Sequence, residues 1–533
     1  MKDFVHNVRL SLALEPSVLT PRLFSYFVPR LHPSDLPVYA TGYAAGTIAS
    51  LQVHELTLQT GAATRLRLES SFEGLPQVHD AMVHLEVKEC RTSLEDVRLL
   101  TDSLGVAHFT LPAFARRLQR LAYKGELVGF LDDFVAYGTL TSNLGNMGVD
   151  ISLSIDPQAG TTFGGQISTQ RLHVGKLINR ELLGHTDLKG SVEGVVKKGG
   201  DLHARTQIAI DNLEFKNYTY HHIDLDGDVT PKSYSGHATV RDSALQLTFE
   251  GKLDFSDSIP KYQFAATAPH IDLKRLHWYE KDSIAQLSFD VNAFYEGKNL
   301  DDLLGSVSFA QLDYTNPNGT MRLDGLRISV FNDGGGKTIT ADSRVFRASM
   351  WTDQRFDHLV TALRELLEER LPSYFAEPEE ECPAAELLAA SSLDTVPPKK
   401  LYRATLLMGE CEEFFATLLP SLTISSRSEL QFTFDAAGQE LEFRVRSGQL
   451  GYGNLAATGV SLDILNHDTL TQFNIALTHA QVGTLALDSI LLKNCLTTDH
   501  FTAALGLRTP DIGGGALRLS LDTHFYPPEG ESP

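Results

Sequence analysis

Apolar and polar residues alternate along much of this chain, most regularly between Asp201 and Gly297. One stretch places Leu245, Leu247, Phe249, Gly251, Leu253 and Phe255 on one side, with Gln246, Thr248, Glu250, Lys252 and Asp254 on the other. A second places Leu287, Phe289, Val291, Ala293 and Tyr295 opposite Ser288, Asp290 and Asn292. A period of two marks strands with one apolar and one solvated face, as antiparallel sheets have. Glycine followed two residues on by an aliphatic residue recurs at Gly125/Leu127, Gly138/Leu140, Gly190/Val192, Gly227/Val229, Gly251/Leu253 and Gly305/Val307. These pairs read as turns that open strands. Their spacing is irregular, which argues against a parallel β-helix and for meanders in which chain neighbours pair. The predicted class is all-β, mostly antiparallel, with a few short helices.

The helices are flagged by their own chemistry. Thr20 and Pro21 supply a cap and a first-turn proline before Leu23, Phe24, Phe27 and Val28, and Pro29 ends that run. Thr110, Leu111 and Pro112 open a second, basic helix through Phe114, Leu118 and Leu121, with Arg116, Arg117 and Arg120 outward. The longest runs from about Phe356 to Leu371, with Leu359, Leu363, Leu366 and Leu367 at helical spacing and Glu365, Glu368 and Glu369 opposite. Its apolar stripe caps the sheet; a membrane-surface helix would carry more Lys and Arg. Phe414, Phe415, Leu418 and Leu419 predict one more short helix, stopped by Pro420. Residues 376–400 hold Pro378, Pro383, Pro397 and Pro398 among glutamates and alanines, the composition of a linker. The chain thus divides into a β-segment over 1–109, a second over 110–375, the linker over 376–400 and a third β-segment over 401–533.

With 46 Lys plus Arg against 67 Asp plus Glu, the formal charge is −21. Nucleic acid is therefore not an expected partner, because the average field repels polyanions. No run approaches the roughly 20 apolar residues of a membrane-spanning helix. The start, Met1 to His6, lacks a secretory signal. Taken literally this predicts a cytoplasmic protein, and an equally simple reading is that the true amino terminus lies upstream. Cys90, Cys382, Cys411 and Cys495 are far apart, with no CxxC pair, so neither zinc nor a dense disulfide framework is expected.

Three chemical motifs are weaker than they look. Asn332-Asp333-Gly334-Gly335-Gly336-Lys337-Thr338 ends like a phosphate-binding loop, but Phe331 stands where the first glycine belongs, so a hairpin loop is expected. Asp224, Asp226 and Asp228 alternate like calcium ligands, yet Val229 and Ser235 occupy the glycine and glutamate positions of such a loop. They read as solvated carboxylates around a turn at Gly227. His221 and His222 are adjacent on a strand and point to opposite faces, so they do not chelate one ion together. No nucleophile elbow, HExxH or GxGxxG is present, and no catalytic residue, cofactor or metal is predicted.

A sheet of roughly 35 strands has more apolar face than these few helices can cover. Either the sheet folds over into a sandwich or trough, or the face takes an apolar ligand. The candidate lining residues are Leu247, Phe249, Leu253, Phe255, Phe264, Leu287, Phe289 and Val291.

In the order and extent of its segments the chain resembles the AsmA-like translocation and assembly module family of the TamB type, particularly its Bacteroidetes-like members. The segments that carry the resemblance are Leu19 to Pro29, the Leu51-to-Leu75 strands ending Phe72-Glu73-Gly74-Leu75-Pro76, the block Tyr123 to Gly145, and the Leu213-to-Pro260 strands. The resemblance implies an elongated, twisted β-groove, or β-taco, in the periplasm, anchored in the inner membrane in the full-length protein. It implies phospholipid or other apolar chains as cargo and an outer-membrane assembly protein of the BamA/TamA type as partner. Here neither the anchor helix nor a docking domain is recognisable, so the chain reads as an internal portion. The alternative is a periplasmic or surface β-sandwich protein that recognises protein or glycan through its loops.

Overall fold

The computed structural model describes residues 4–25, 34–77, 80–103, 117–156, 158–356, 358–375, 400–467, 469–508 and 516–526. Among the described residues there are thirty-one strands and seven short helices. No helix among them is long and apolar enough to cross a membrane. The class is all-β with antiparallel pairing. The chain divides into two compact units: Met1–Asp254 with Arg275–Trp278, and Phe255–Lys274 with Tyr279–Pro533. The linker expected over 376–400 and the boundary expected at 109/110 fall almost entirely outside the described residues.

Within each unit the strands form an open meander, each pairing with the strands before and after it in the chain. Three connections depart from the simple pattern. Strands Leu172–His173, Gly319–Arg322 and Leu422–Ile424 are short pieces that share a partner with a longer neighbour, so each is a broken strand. Proline, which cannot donate a ladder hydrogen bond, occurs inside two strands. Pro16 and Pro269 both fall within register shifts, between Leu14 and Ser17 and between Ala268 and Ile271, where the extra residue absorbs the missing donor.

The expected glycine turns are corrected by the structure. Gly125, Gly138, Gly190, Gly227 and Gly251 lie inside strands: Gly125 pairs with Gly138, and Gly227 with Gly236, which pairs in turn with Gly251. A Cβ on Gly125 would stand 2.6 Å from the Cα of Gly138, and one on Gly227 2.9 Å from the Cα of Gly236. Neighbouring backbone fills the side-chain position, so glycine is needed here for close approach. The three aspartates 224, 226 and 228 accordingly sit in mid-strand, within Tyr218–Thr230.

The long helix is His358–Arg370, within two residues of expectation at its start, and the short one is Glu412–Leu418. Pro21–Ser25 forms as expected; the remainder of that run, 26–29, lies outside the described residues. The basic helix is corrected at its carboxyl end: strand Arg120–Gly129 begins where the helix was to continue, and Leu121 pairs with Ser142. Leu118 instead packs with Leu144 and Leu172 in a small core. Helix Leu94–Ser103 was not anticipated. Ser93 and Asp96 open it with half of a capping box, the Ser93 Oγ accepting the Asp96 N–H at 3.1 Å.

Candidate functional site

In the second unit the alternation builds one apolar row that crosses fourteen successive strand pieces. Partner to partner it reads Phe264, Ala293, Val307, Ile328, Ala341, Ala348, Leu406, Leu430, Val445, Leu462, Ile475, Leu492, Leu505 and Leu519. Directly paired residues share a face, so these side chains stand on the same side of the sheet. The row one residue away, on the opposite side, reads Gln263, Phe294, Ser306, Ser329, Thr340, Ser349, Thr405, Gln431, Arg444, Asp463, Asn474, Lys493, Ala504 and Ser520. Only Phe294 and Ala504 interrupt its polarity.

Ala293 apart, every member of the apolar row is half-buried or exposed. At its start the row forms one wall of a cavity of about 690 Å³. Phe264, Leu287, Phe289 and Val291, four of the eight candidate residues, line it. Tyr295, Leu303, Val307, Phe309, Leu312, Ile328 and Val330 complete most of the lining and were not foreseen. Phe309 and Leu312 are three residues apart and still face the same side, because a register shift between Asp290 and Val291 places one extra residue in the strand Leu304–Asn316. Tyr295 stacks on Tyr262 with ring centres 4.5 Å apart, and burial, with Tyr262 alongside, pushes its hydroxyl above the usual tyrosine range. Gly305, also in the wall, has φ +126°, and a Cβ there would meet the Phe294 carbonyl oxygen at 2.2 Å.

Two helices flank the row on its apolar side. Leu359, Leu363 and Leu366 of His358–Arg370 pack against Met350, Tyr402, Phe432, Phe434 and Leu441 at one end of these strands. Phe414 and Phe415 of Glu412–Leu418 pack with Met321, Leu323, Val345 and Met408 at the other. Ala348, Leu406 and Leu430 lie between them. The long helix is fastened at its carboxyl end: buried Arg370 donates from Nε to Asn466 Oδ1 at 3.1 Å, and Ser373 donates from N and Oγ to the Asp499 carboxylate at 3.1 and 2.8 Å. Beside the row, Asn494 stands between Phe473 and Ala503 on the apolar face, and its side-chain oxygen is buried without a hydrogen-bond partner.

The other four candidates are placed elsewhere. Leu247, Phe249 and Leu253 belong to the first unit, paired with Val240, Ala238 and Tyr234. Phe249 belongs to an apolar row there, running Val87, Gly125, Gly138, Val149, Ile167, Gly190, Ile208, Leu225, Ala238, Phe249. Phe255 is exposed and meets Tyr262 edge to face at 5.7 Å, outside the cavity lining.

The first unit has a second cavity, of about 700 Å³, on its polar face. Asp150, Gln166, Ser191, Gln207, Asp226 and His237 form its central row. Asp224 there pairs with Arg241, and Asp226 accepts from Arg205 and Gln207. These exposed ion pairs contribute about 0–1 kcal/mol each.

No family model, no curated protein and no solved structure matches this chain.

Proposed function

We propose that this chain is a non-enzymatic conduit or scaffold of the cell envelope, of the TamB type, that holds apolar chains such as the acyl chains of phospholipid against the open apolar row. In that role it supports outer-membrane protein assembly and secretion, or phospholipid passage between inner and outer membranes. It works in the periplasm, held by an inner-membrane anchor in the full-length protein and meeting an assembly partner of the BamA/TamA type.

The observation that carries this reading is the row of fourteen apolar residues, from Phe264 to Leu519, of which all but Ala293 are left half-buried or exposed by the unit's own side chains. An acyl chain in water exposes each methylene at about 0.8 kcal/mol, and a continuous apolar lane removes that penalty at every step along it. The cavity at the start of the row lies within the roughly 300–1,000 Å³ of ligand sites and is lined mainly by apolar side chains, with Tyr295 and Ser306 as the hydroxyl-bearing members. The alternative, a sandwich that binds through its loops, requires a facing sheet to seal these side chains; their exposure favours the groove.

The test is photo-crosslinking of the purified chain with a diazirine-bearing phospholipid. Phe289→Asp places a carboxylate in the cavity wall and should lower labelling about tenfold with soluble expression retained, because an unpaired charge against apolar surface is costly. Phe249→Asp asks the same of the first unit. Undiminished labelling in both variants defeats the proposal.

A further inference from the structure

Three side chains of ligand type meet on the polar face of the hairpin made by strands His500–Arg508 and Ala516–His524. His500 and His524 are direct cross-strand partners, and their rings lie 4.1 Å apart and within 3° of parallel. Asp522, two residues before His524, faces the same side, and its Oδ1 is 2.7 Å from His500 Nε2. One ligand atom from each of the three lies within 4.8 Å of the others. Spacing along the chain conceals this set, since His500 is far from the other two in sequence and only the antiparallel register joins them.

The arrangement offers two imidazole nitrogens beside one carboxylate oxygen. That is the donor set of a borderline divalent cation with a coordination position left for water. Tetrahedral coordination at about 2.0–2.1 Å sets two ring nitrogens roughly 3.4 Å apart. The ligand atoms therefore need to draw in by up to about 1.4 Å, and the stacked rings to turn until their in-plane lone pairs converge on one ion, which half-exposed side chains permit.

We propose that His500, Asp522 and His524 form a binding site for Zn²⁺ or a similar transition-metal dication, which staples strand Ala516–His524 to its neighbour. The turn that carries the first ligand has a second attachment. Asp499, next to His500, receives Ser373 on its carboxylate, and its own N–H donates to the carbonyl of Arg370 at 3.1 Å. A metal held at this turn also stiffens the anchor of helix His358–Arg370.

The experiment titrates the full chain with Zn²⁺ by calorimetry and with Co²⁺ by its visible ligand-field bands. One equivalent should bind, and affinity should fall about tenfold or more in His524→Ala and in Asp522→Asn. His479→Ala removes one member of a pair that has only a single carboxylate, Asp488, as companion, and should leave binding unchanged. Zn²⁺ should also slow amide exchange in residues 516–526. Circular dichroism checks folding, and Asp522→Asn, which keeps the size of the side chain, decides the matter if His524→Ala does not fold. Absence of saturable binding, or an affinity unchanged in both Asp522→Asn and His524→Ala, overturns the proposal.

Discussion

At Asp96 one carboxylate ties together a helix start and a hairpin. It accepts the N–H groups of Ala62 and Ala63 at 3.0 and 2.7 Å and the hydroxyl of Thr64 at 2.8 Å, and it is 4% exposed. Burial opposes its charge, but these donors outweigh burial, and the carboxyl titrates below the usual aspartate range. A folded-state value below the unfolded one means that the stabilisation is complete above about pH 4 and is lost as pH falls through the folded value. Asp96→Ala strands the three donors and should remove about 3 kcal/mol at pH 7, as read by urea denaturation. The gap between wild type and Asp96→Asn should shrink as the medium is acidified below pH 4; a gap that stays constant would count against the assigned hydrogen bonds. Glycine acts at the same scale in a different way. At Gly227 and Gly125 it makes room for a neighbouring strand, whereas at Gly305 it also supplies a left-handed backbone.

Helix His358–Arg370 depends on its apolar stripe and on its fastened end. Leu366 is 4% exposed among Tyr402 and Phe434, so Leu366→Ala should cost about 2–5 kcal/mol. If the helix opens as a local element, amide exchange in residues 358–370 should accelerate while strand Tyr218–Thr230 keeps its protection. Equal acceleration in both would show that the helix is not an independent unit. This helix was legible from its leucine spacing. Leu94–Ser103 was not, because its signal is one cap rather than a stripe. The strand glycines were misread for a physical reason: the sequence shows where a side chain is missing, but not whether the chain turns there or another strand approaches. The cavity was half legible. Phe264, Leu287, Phe289 and Val291 keep strict alternation, whereas the extra residue near Ala310 breaks the parity that would have put Phe309 and Leu312 beside them.

For the whole molecule, the excess of 21 negative charges lies on a chain whose two sheet faces differ sharply in polarity. If the proposed role holds, acyl cargo should therefore be recognised by its tail, with little help from anionic headgroups. Mapping of diazirine adducts by mass spectrometry should place them on the row, at Leu406, Leu430, Val445 and Leu462, rather than on Arg444, Asp463 or Lys493 of the polar row on the opposite face. Adducts spread evenly over both rows would remove the groove as their cause. The strand order has a further consequence. Because the ladders join strands that are neighbours or near neighbours in the chain, a hairpin added or deleted away from the two helices and their anchors leaves the other ladders in register and restores the same facing of its leucines. Descendants of such a gene can thus gain or lose length two strands at a time without redesigning a core. A fold whose interior is shared by distant parts of the chain does not have that freedom.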